Sequence, residues 1–454
     1  MAELAPLRPL VSFLVAAPQS GSGKTVTTLG LIAALVARGH AIAPAKVGPD
    51  YIDTAFLAAA AGRPAVNLDL WAMRPALFDR LGSAPNLVVE GVMGLFDGPA
   101  AGPGSSADVA RRLGLPIILV VNAERMSHSV AALVHGFATF DPTLSIAGVI
   151  LTRVASPRHE AMLRAALAGG AVPCLGAIPR RDNLAVPSRH LGLRQAREDA
   201  GLTERIAGIA EIVAEHTDLA AIEALDRPSP TSADAASLSP LGRWNSDRVA
   251  RGTEGATPLP PLGQRIALAH DDAFAFAYAH LVDGWHSAGA TVHPFSPLAG
   301  EAPDPAADAV FLPGGYPELH AGRLAAEQAW ARGIRARAKA GALIYGECGG
   351  YMALGDTLVD ADGTAHEMAG LLPVTTSFAE RRRTLGYRTL RHDGTALPGF
   401  PAALRGHEFH YATVAAEGRP LFQAADAAGT PLSAMGSVAG RVAGSFAHII
   451  DGAE

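Results

Sequence analysis

Val11-Ser12-Phe13-Leu14-Val15-Ala16-Ala17 runs straight into Pro18-Gln19-Ser20-Gly21-Ser22-Gly23-Lys24-Thr25, and the order of these two pieces decides the fold of the amino-terminal part. The first piece reads as a buried strand, the second as a Gly/Ser turn that opens a long Ala/Leu-rich helix at Lys24. A turn in that position lets the backbone N–H groups around Gly21, Ser22 and Gly23, together with the helix N-terminus, converge on an anion. Lys24 is then placed to neutralise the β- and γ-phosphates of ATP, and the Thr25 hydroxyl to hold Mg²⁺. One departure stands in the loop: Pro18 occupies the place of the usual first glycine. Gly-Lys-Thr alone is common and carries little; its position between an apolar strand and a long helix is what reads as a nucleotide site.

Two further segments follow apolar runs in the same way. Lys46-Val47-Gly48-Pro49-Asp50-Tyr51-Ile52-Asp53 follows the second, and Val89-Glu90-Gly91-Val92-Met93-Gly94-Leu95-Phe96-Asp97-Gly98 ends a later one. An open α/β sheet collects its ligand chemistry at the carboxyl ends of its strands. Asp50 and Glu90 are therefore the expected Mg²⁺-associated carboxylates beside Thr25. Helix capping is the competing explanation for such loop carboxylates, and it suits Asp53 almost as well.

Strand-like runs at 11–17, 41–47, 86–90, 116–121, 146–151 and 172–178 alternate with amphipathic helical stretches, the pattern of a parallel sheet with helices on both faces. From Asp226 to Gly263 the chain turns rich in Pro, Ser, Ala and Gly and reads as a linker. A second α/β unit starts at Arg265-Ile266-Ala267-Leu268-Ala269 and continues through strands near 291–295, 309–313 and 342–346. The expected domains are thus 1–225, a linker 226–263, and 264–454. No internal repeat is present.

The second unit carries its own chemistry in Ala342-Leu343-Ile344-Tyr345-Gly346-Glu347-Cys348-Gly349-Gly350. A strand, a sharp turn and a helix beginning near Tyr351 form an elbow that exposes a thiol, with the helix dipole favouring the thiolate. A buried structural cysteine is the usual fate of a lone Cys, and it is the reading for Cys174; glycines flanking Cys348 favour a nucleophile there. Of sixteen histidines, none is singled out as the base by local sequence alone.

The net charge of −6 argues against generic nucleic-acid binding. Two cysteines cannot build a disulfide framework, and one is wanted as a thiol, so a reducing cytoplasm is expected. The opening apolar run is short and feeds the phosphate loop, and no stretch approaches the roughly 20 apolar residues of a membrane helix.

Taken with Leu312-Pro313-Gly314-Gly315-Tyr316-Pro317-Glu318 and Arg405-Gly406-His407-Glu408-Phe409-His410, these motifs resemble, in identity and order and over nearly the whole chain, those of the cobyrinic acid and hydrogenobyrinic acid a,c-diamide synthases of cobalamin biosynthesis. The resemblance implies an α/β fold made of a phosphate-loop domain of the dethiobiotin-synthetase type and a glutamine amidotransferase domain of the class I, triad type. It implies that Cys348 attacks the glutamine amide, that His448 is the base, and that the Gly314-Gly315 loop stabilises the oxyanion. In the wider amidotransferase class a Glu two residues after the His orients it; Ile450 stands there, which leaves the orienting acid unassigned. Asp50, Tyr51, Asp53 and Asp97 would line the substrate and phosphate side. Thr152 stands where relatives often carry an Asn against the nucleotide base.

The implied activity is ATP- and glutamine-dependent amidation, through an acyl phosphate, of the a- and c-acetates of a corrinoid polycarboxylate, with or without cobalt. Two basic clusters, Arg381-Arg382-Arg383 with Arg388, and Arg180-Arg181 with Arg189 and His190, are candidates to meet its carboxylates. Self-association into a homodimer is compatible with this reading. The alternatives are a cobyric acid synthase that amidates more side chains, against which Asp50-Tyr51-Ile52-Asp53 speaks, and a partitioning-type switch ATPase, against which the Cys348 elbow speaks.

Overall fold

In the amino-terminal unit, continuous apolar runs form strands buried on both faces, as a parallel sheet covered by helices requires. β1 (Phe13–Ala16), α1 (Lys24–Ala37), β2 (Ala43–Val47), α2 (Ile52–Ala61), β3 (Val66–Leu68), α3 (Pro75–Gly82), β4 (Leu87–Glu90), α4 (Ser106–Leu113), β5 (Ile117–Asn122), α5 (Ser129–Phe140), β6 (Ile146–Val154), α6 (Pro157–Leu167) and β7 (Cys174–Pro179) alternate along the chain. The strands form one seven-stranded sheet in the order β3-β2-β4-β1-β5-β6-β7. All of its pairs are parallel. The order reverses at β1, so the phosphate loop leaves the sheet at the switch point where such folds bind ligands. Helices α1, α2 and α7 (Leu202–His216) share one apolar cluster over one face of this sheet, with Leu31, Phe56 and Val213 among its members. β3 escapes the sequence pattern because it is three residues long.

This computed structural model describes residues 10–181, 188–189, 192–193, 195–225 and 258–453. Most of the 226–263 linker, and the side chains of Arg189 and His190, lie outside the described residues. The chain divides into two compact units near residue 257, with Ala72–Arg74 and Ala100–Gly102 counted with the second.

In the second unit the strands near 265–269, 291–295, 309–312 and 343–347 are present as read from sequence. They build a six-stranded sheet in the order Thr291–Phe295, Arg265–Ala269, Ala309–Leu312, Leu343–Glu347, Val442–Ser445, Ser437–Ala439. The last strand alone is antiparallel. After Ser445 the chain turns a corner at Phe446 and enters a separate antiparallel sheet as Ala447–Gly452, which pairs with Ala403–His410. That corner carries His448 to the elbow. Among the described residues no helix is long and apolar enough to cross a membrane.

Candidate active sites

The first site grows from the carboxyl ends of β1, β2 and β4. Parallel register sets Val15 beside Glu90 and Glu90 beside Lys46. Gly21 and Gly23 adopt φ of 77° and 88°, the left-handed region that glycine enters without steric cost, and this bends the loop so that α1 begins at Lys24. The space that a Cβ on Gly21 would point into is open. Ser22 Oγ–H donates to the Gln19 carbonyl at 2.9 Å and closes the turn from within.

Behind the loop, Glu90 is fully buried. Its Oε1 accepts the Thr25 hydroxyl at 2.6 Å and Lys46 Nζ at 3.0 Å, and lies 3.9 Å from Lys24 Nζ. Its Oε2 is buried without a hydrogen-bond partner among the described residues. Burial pushes the Glu90 carboxyl above its usual range, against the pull of Lys46. Burial and the neighbouring Lys46 together lower Lys24. For Lys46 burial also works against the charge, but the Glu90, Asp53 and Asp50 carboxylates win and hold it well above an ordinary lysine. The orphaned carboxylate oxygen, the adjacent Thr25 hydroxyl and the open cradle suit a hard cation that shares oxygens with phosphate. No group of three or more His, Cys, Asp or Glu encloses a metal among the described residues, so such a cation would take its remaining ligands from phosphate and water.

The aspartates sort differently than expected. Asp53 does not cap a helix: its carboxylate takes a very short hydrogen bond from Lys46. Asp50 does the capping, its Oδ1 accepting the Asp53 N–H at 2.8 Å at the start of α2, and it lies exposed at the mouth of the site with Tyr51 beside it. Asp97 is exposed, and its Oδ2 accepts the Gly94 N–H at 2.8 Å. Gly94 in turn passes so close to the phosphate loop that a Cβ there would lie 2.7 Å from the Pro18 carbonyl oxygen. Thr152 is buried, and its hydroxyl donates to the Ser22 carbonyl at 2.7 Å, so this side chain braces the loop from below.

The second site lies in the carboxy-terminal unit. Cys348 joins the strand Leu343–Glu347 to the short helix Gly349–Leu354, which starts two residues before the expected Tyr351. Its backbone sits at φ 47° and ψ −107°, outside the regions that L-residues ordinarily populate. Contrary to expectation, the elbow does not expose the thiol. Cys348 is buried, its thiol donates to the Phe409 carbonyl at 3.7 Å, and burial, reinforced by Glu318, pushes it up to about 12 while the Gly349 N–H pulls the other way. A six-residue helix offers a weak dipole, so desolvation prevails over it.

His448 is buried beside it, pushed down to about 3 by burial and by the charges of His407 and His410. Gly314 separates base and nucleophile. A Cβ there would lie 2.9 Å from His448 Nε2 and 3.3 Å from Cys348 Cβ, so only glycine fits. The Gly314 carbonyl accepts the Phe276 N–H at 2.9 Å, and in a trans peptide this turns the Gly315 N–H the opposite way. Gly315 N borders Gly349, 3.0 Å from where a Cβ on that residue would be.

Sequence reading missed Lys46, although it quoted the residue within its motif, and it missed Glu347. The Glu347 Oε2 lies 3.7 Å from His448 Nδ1, and burial pushes the Glu347 carboxyl up to about 8. Of the arginines, Arg388 is buried and paired with Glu408 at 2.7 Å, and Arg180 pairs with Glu124 at 2.8 Å. Arg381, Arg382 and Arg383 are exposed. Cys174, read as a buried structural cysteine, is half-buried against the β6–β7 side of the core.

Residues 13–193 match the family described as the CobQ/CobB/MinD/ParA nucleotide binding domain, and residues 265–453 match the CobB/CobQ-like glutamine amidotransferase domain. A hydrogenobyrinate a,c-diamide synthase of Brucella suis biovar 1 is 52% identical over 448 residues, spanning 97% of this chain and 98% of the relative. Another of that name from Rhodobacter capsulatus is 50% identical over 450 residues, spanning 96% of this chain and 98% of the relative. A crystal structure of a glutamine amidotransferase superposes on 40% of this chain and 89% of its own, at 16% identity and a TM-score of 0.28.

Proposed function

The chain belongs to the hydrogenobyrinate a,c-diamide synthase family, and from that premise we infer that it converts the a- and c-acetate carboxylates of hydrogenobyrinic acid to amides, using ATP and glutamine. The observation that carries the mechanism is the coexistence of two separately built sites, a phosphate loop backed by buried Glu90 and Lys46 and a strained Cys348 beside His448.

A carboxylate is inert to ammonia, whereas an acyl phosphate presents a good leaving group. In the synthetase site the loop N–H groups and Lys24 bind the phosphates, and Lys46 adds a second positive charge locked in place by Asp53 and Glu90. Thr25, Glu90 and, at the mouth, Asp50 are the donors that would hold Mg²⁺, which neutralises charge on the transferring phosphoryl group. Asp97 and Tyr51 face the substrate side. In the glutaminase site the thiol swings off the Phe409 carbonyl, and His448 Nε2 takes its proton. The sulfur then attacks the glutamine amide carbon while the Gly315 and Gly349 N–H groups receive the oxyanion. His448 returns the proton to the departing ammonia, and water hydrolyses the thioester. A cytoplasmic setting suits both the free thiol and the supply of ATP.

The test uses two variants. Cys348→Ala is expected to lose glutamine hydrolysis and glutamine-dependent amidation while amidation with high ammonium survives. Lys24→Ala is expected to lose amidation with either nitrogen source by about 100-fold or more while keeping its fold. Ammonia-dependent synthesis retained in Lys24→Ala would refute phosphoryl transfer at this loop.

A further inference from the structure

The base of a thiol–imidazole pair works only if its ring is held in one orientation and one tautomer. A hydrogen on Nδ1, donated to an acceptor, leaves the Nε2 lone pair free to take the thiol proton. The residue two after His448 cannot supply that acceptor: Ile450 is apolar and buried, and its carbonyl is engaged by His280 Nε2 at 2.9 Å. Glu408, on the neighbouring strand, is committed through one oxygen to Arg388 at 2.7 Å and through the other to His410 at 2.9 Å.

Glu347 fills the role from the opposite direction. It is the last residue of the strand that carries the nucleophile, and parallel register sets it beside Ser445, where the final strands turn their corner. Its Oε1 accepts the Ile449 N–H at 3.0 Å, and its Oε2 lies 3.7 Å from His448 Nδ1, with both side chains 3% exposed. One carboxyl group thus holds the backbone of 449 by a hydrogen bond and stands within ion-pairing distance of the ring of 448. The other edge of the same ring, with Cε1 and Nε2, faces Gly314, the glycine that also borders Cys348.

We propose that Glu347 is the positioning acid of the glutaminase site, acting through His448 from the residue immediately before the nucleophile. The proposal rests on the Cys348–His448 reading given above. It makes Glu347 part of the hydrolytic machinery without contact to glutamine, and it makes the Gly346-Glu347-Cys348-Gly349 turn the source of both the nucleophile and the orientation of its base.

Glu347→Gln separates positioning from simple bracing, because the amide oxygen can still accept the Ile449 N–H, which leaves an NH2 donor facing Nδ1 where the acid presents an oxygen. The kcat for glutamine hydrolysis is expected to fall about 100-fold with KM for glutamine within about twofold of the parent, and ammonia-dependent amidation should be unchanged. Glu347→Asp, which keeps a carboxyl group at shorter reach, should recover at least about tenfold over Glu347→Gln. A Glu347→Gln kcat within about threefold of the parent, equal loss in both variants, or joint loss of ammonia-dependent synthesis would each overturn the proposal. Cys348→Ala assayed in parallel keeps the two levels apart. Glutaminase surviving in that variant would defeat the nucleophile assignment itself, whereas an inactive Cys348→Ala beside a fully active Glu347→Gln would defeat only the role of Glu347.

Discussion

At Cys348 the chain holds a non-glycine residue at positive φ, a conformation that costs on the order of 1–3 kcal/mol, and buries a thiol whose proton is then hard to remove. With the thiol pushed up to about 12 and His448 down to about 3, the resting pair is neutral across the physiological range. The sign is plain: the thiolate fraction grows about tenfold per pH unit and does not saturate below the thiol's own value. Alkylation of Cys348 by iodoacetamide in the substrate-free protein should therefore keep rising from pH 7 to pH 9 with no plateau. A plateau below pH 7 would mean a preformed thiolate–imidazolium pair. In the other unit, Glu90 and Asp97 differ just as sharply, one fully buried between Thr25 and Lys46, the other exposed with its carboxylate on the Gly94 N–H. Glu90→Gln should lower ATP turnover and be partly rescued by raised Mg²⁺, since a hard ligand is lost. Asp97→Asn should leave the Mg²⁺ dependence alone and weaken corrinoid use or let monoamide accumulate. Mg²⁺ titrations with chromatography of mono- and diamide read both, and identical behaviour would refute the division of roles.

The strand Ala403–His410 shows how an element can carry a site without touching the reacting atoms. It pairs on one side with Thr384–Arg391 and on the other with the His448 strand, and its Glu408 lies buried between Arg388 and His410. Arg388→Leu should therefore destabilise the second unit by about 1–3 kcal/mol, because it leaves a buried carboxylate with His410 alone, whereas alanines at Arg381, Arg382 and Arg383 should leave thermal unfolding nearly unchanged. Calorimetry decides it; a harmless Arg388→Leu with impaired corrinoid binding would restore this arginine as a substrate contact. The same element marks the limit of what local sequence discloses. The phosphate loop and the cysteine elbow are legible because strand, turn and helix are contiguous, so residue order alone implies geometry. Glu90 beside Lys46, and Glu347 beside His448, arise from registers between strands 44 and about 100 residues apart, which no local pattern encodes. Thr152 bracing Ser22 is a contact of the same kind. The burial of the thiol was missed for another reason: glycine neighbours suggest access, but here they admit close-packed backbone instead, with Leu312 against Gly350 and Pro317 against Gly349.

For the whole molecule, family membership and the two sites converge on one glutamine-dependent reaction, in which glutamine hydrolysis supplies the ammonia for the amide formed with ATP. The partitioning-type ATPase alternative has no use for the Cys348–His448–Glu347 arrangement, and it gives no account of relatives of the same length named for a diamide synthesis. The measurement that bears most directly on this account is product analysis after incubating the purified full-length chain with hydrogenobyrinic acid, ATP, Mg²⁺ and glutamine. The account predicts two carboxylate-to-amide conversions at the a- and c-acetates by mass and chromatography, with ADP, phosphate and glutamate released in step with each amide. Conversion of further side chains, release of AMP in place of ADP, or ATP hydrolysis without any amide formed would contradict it.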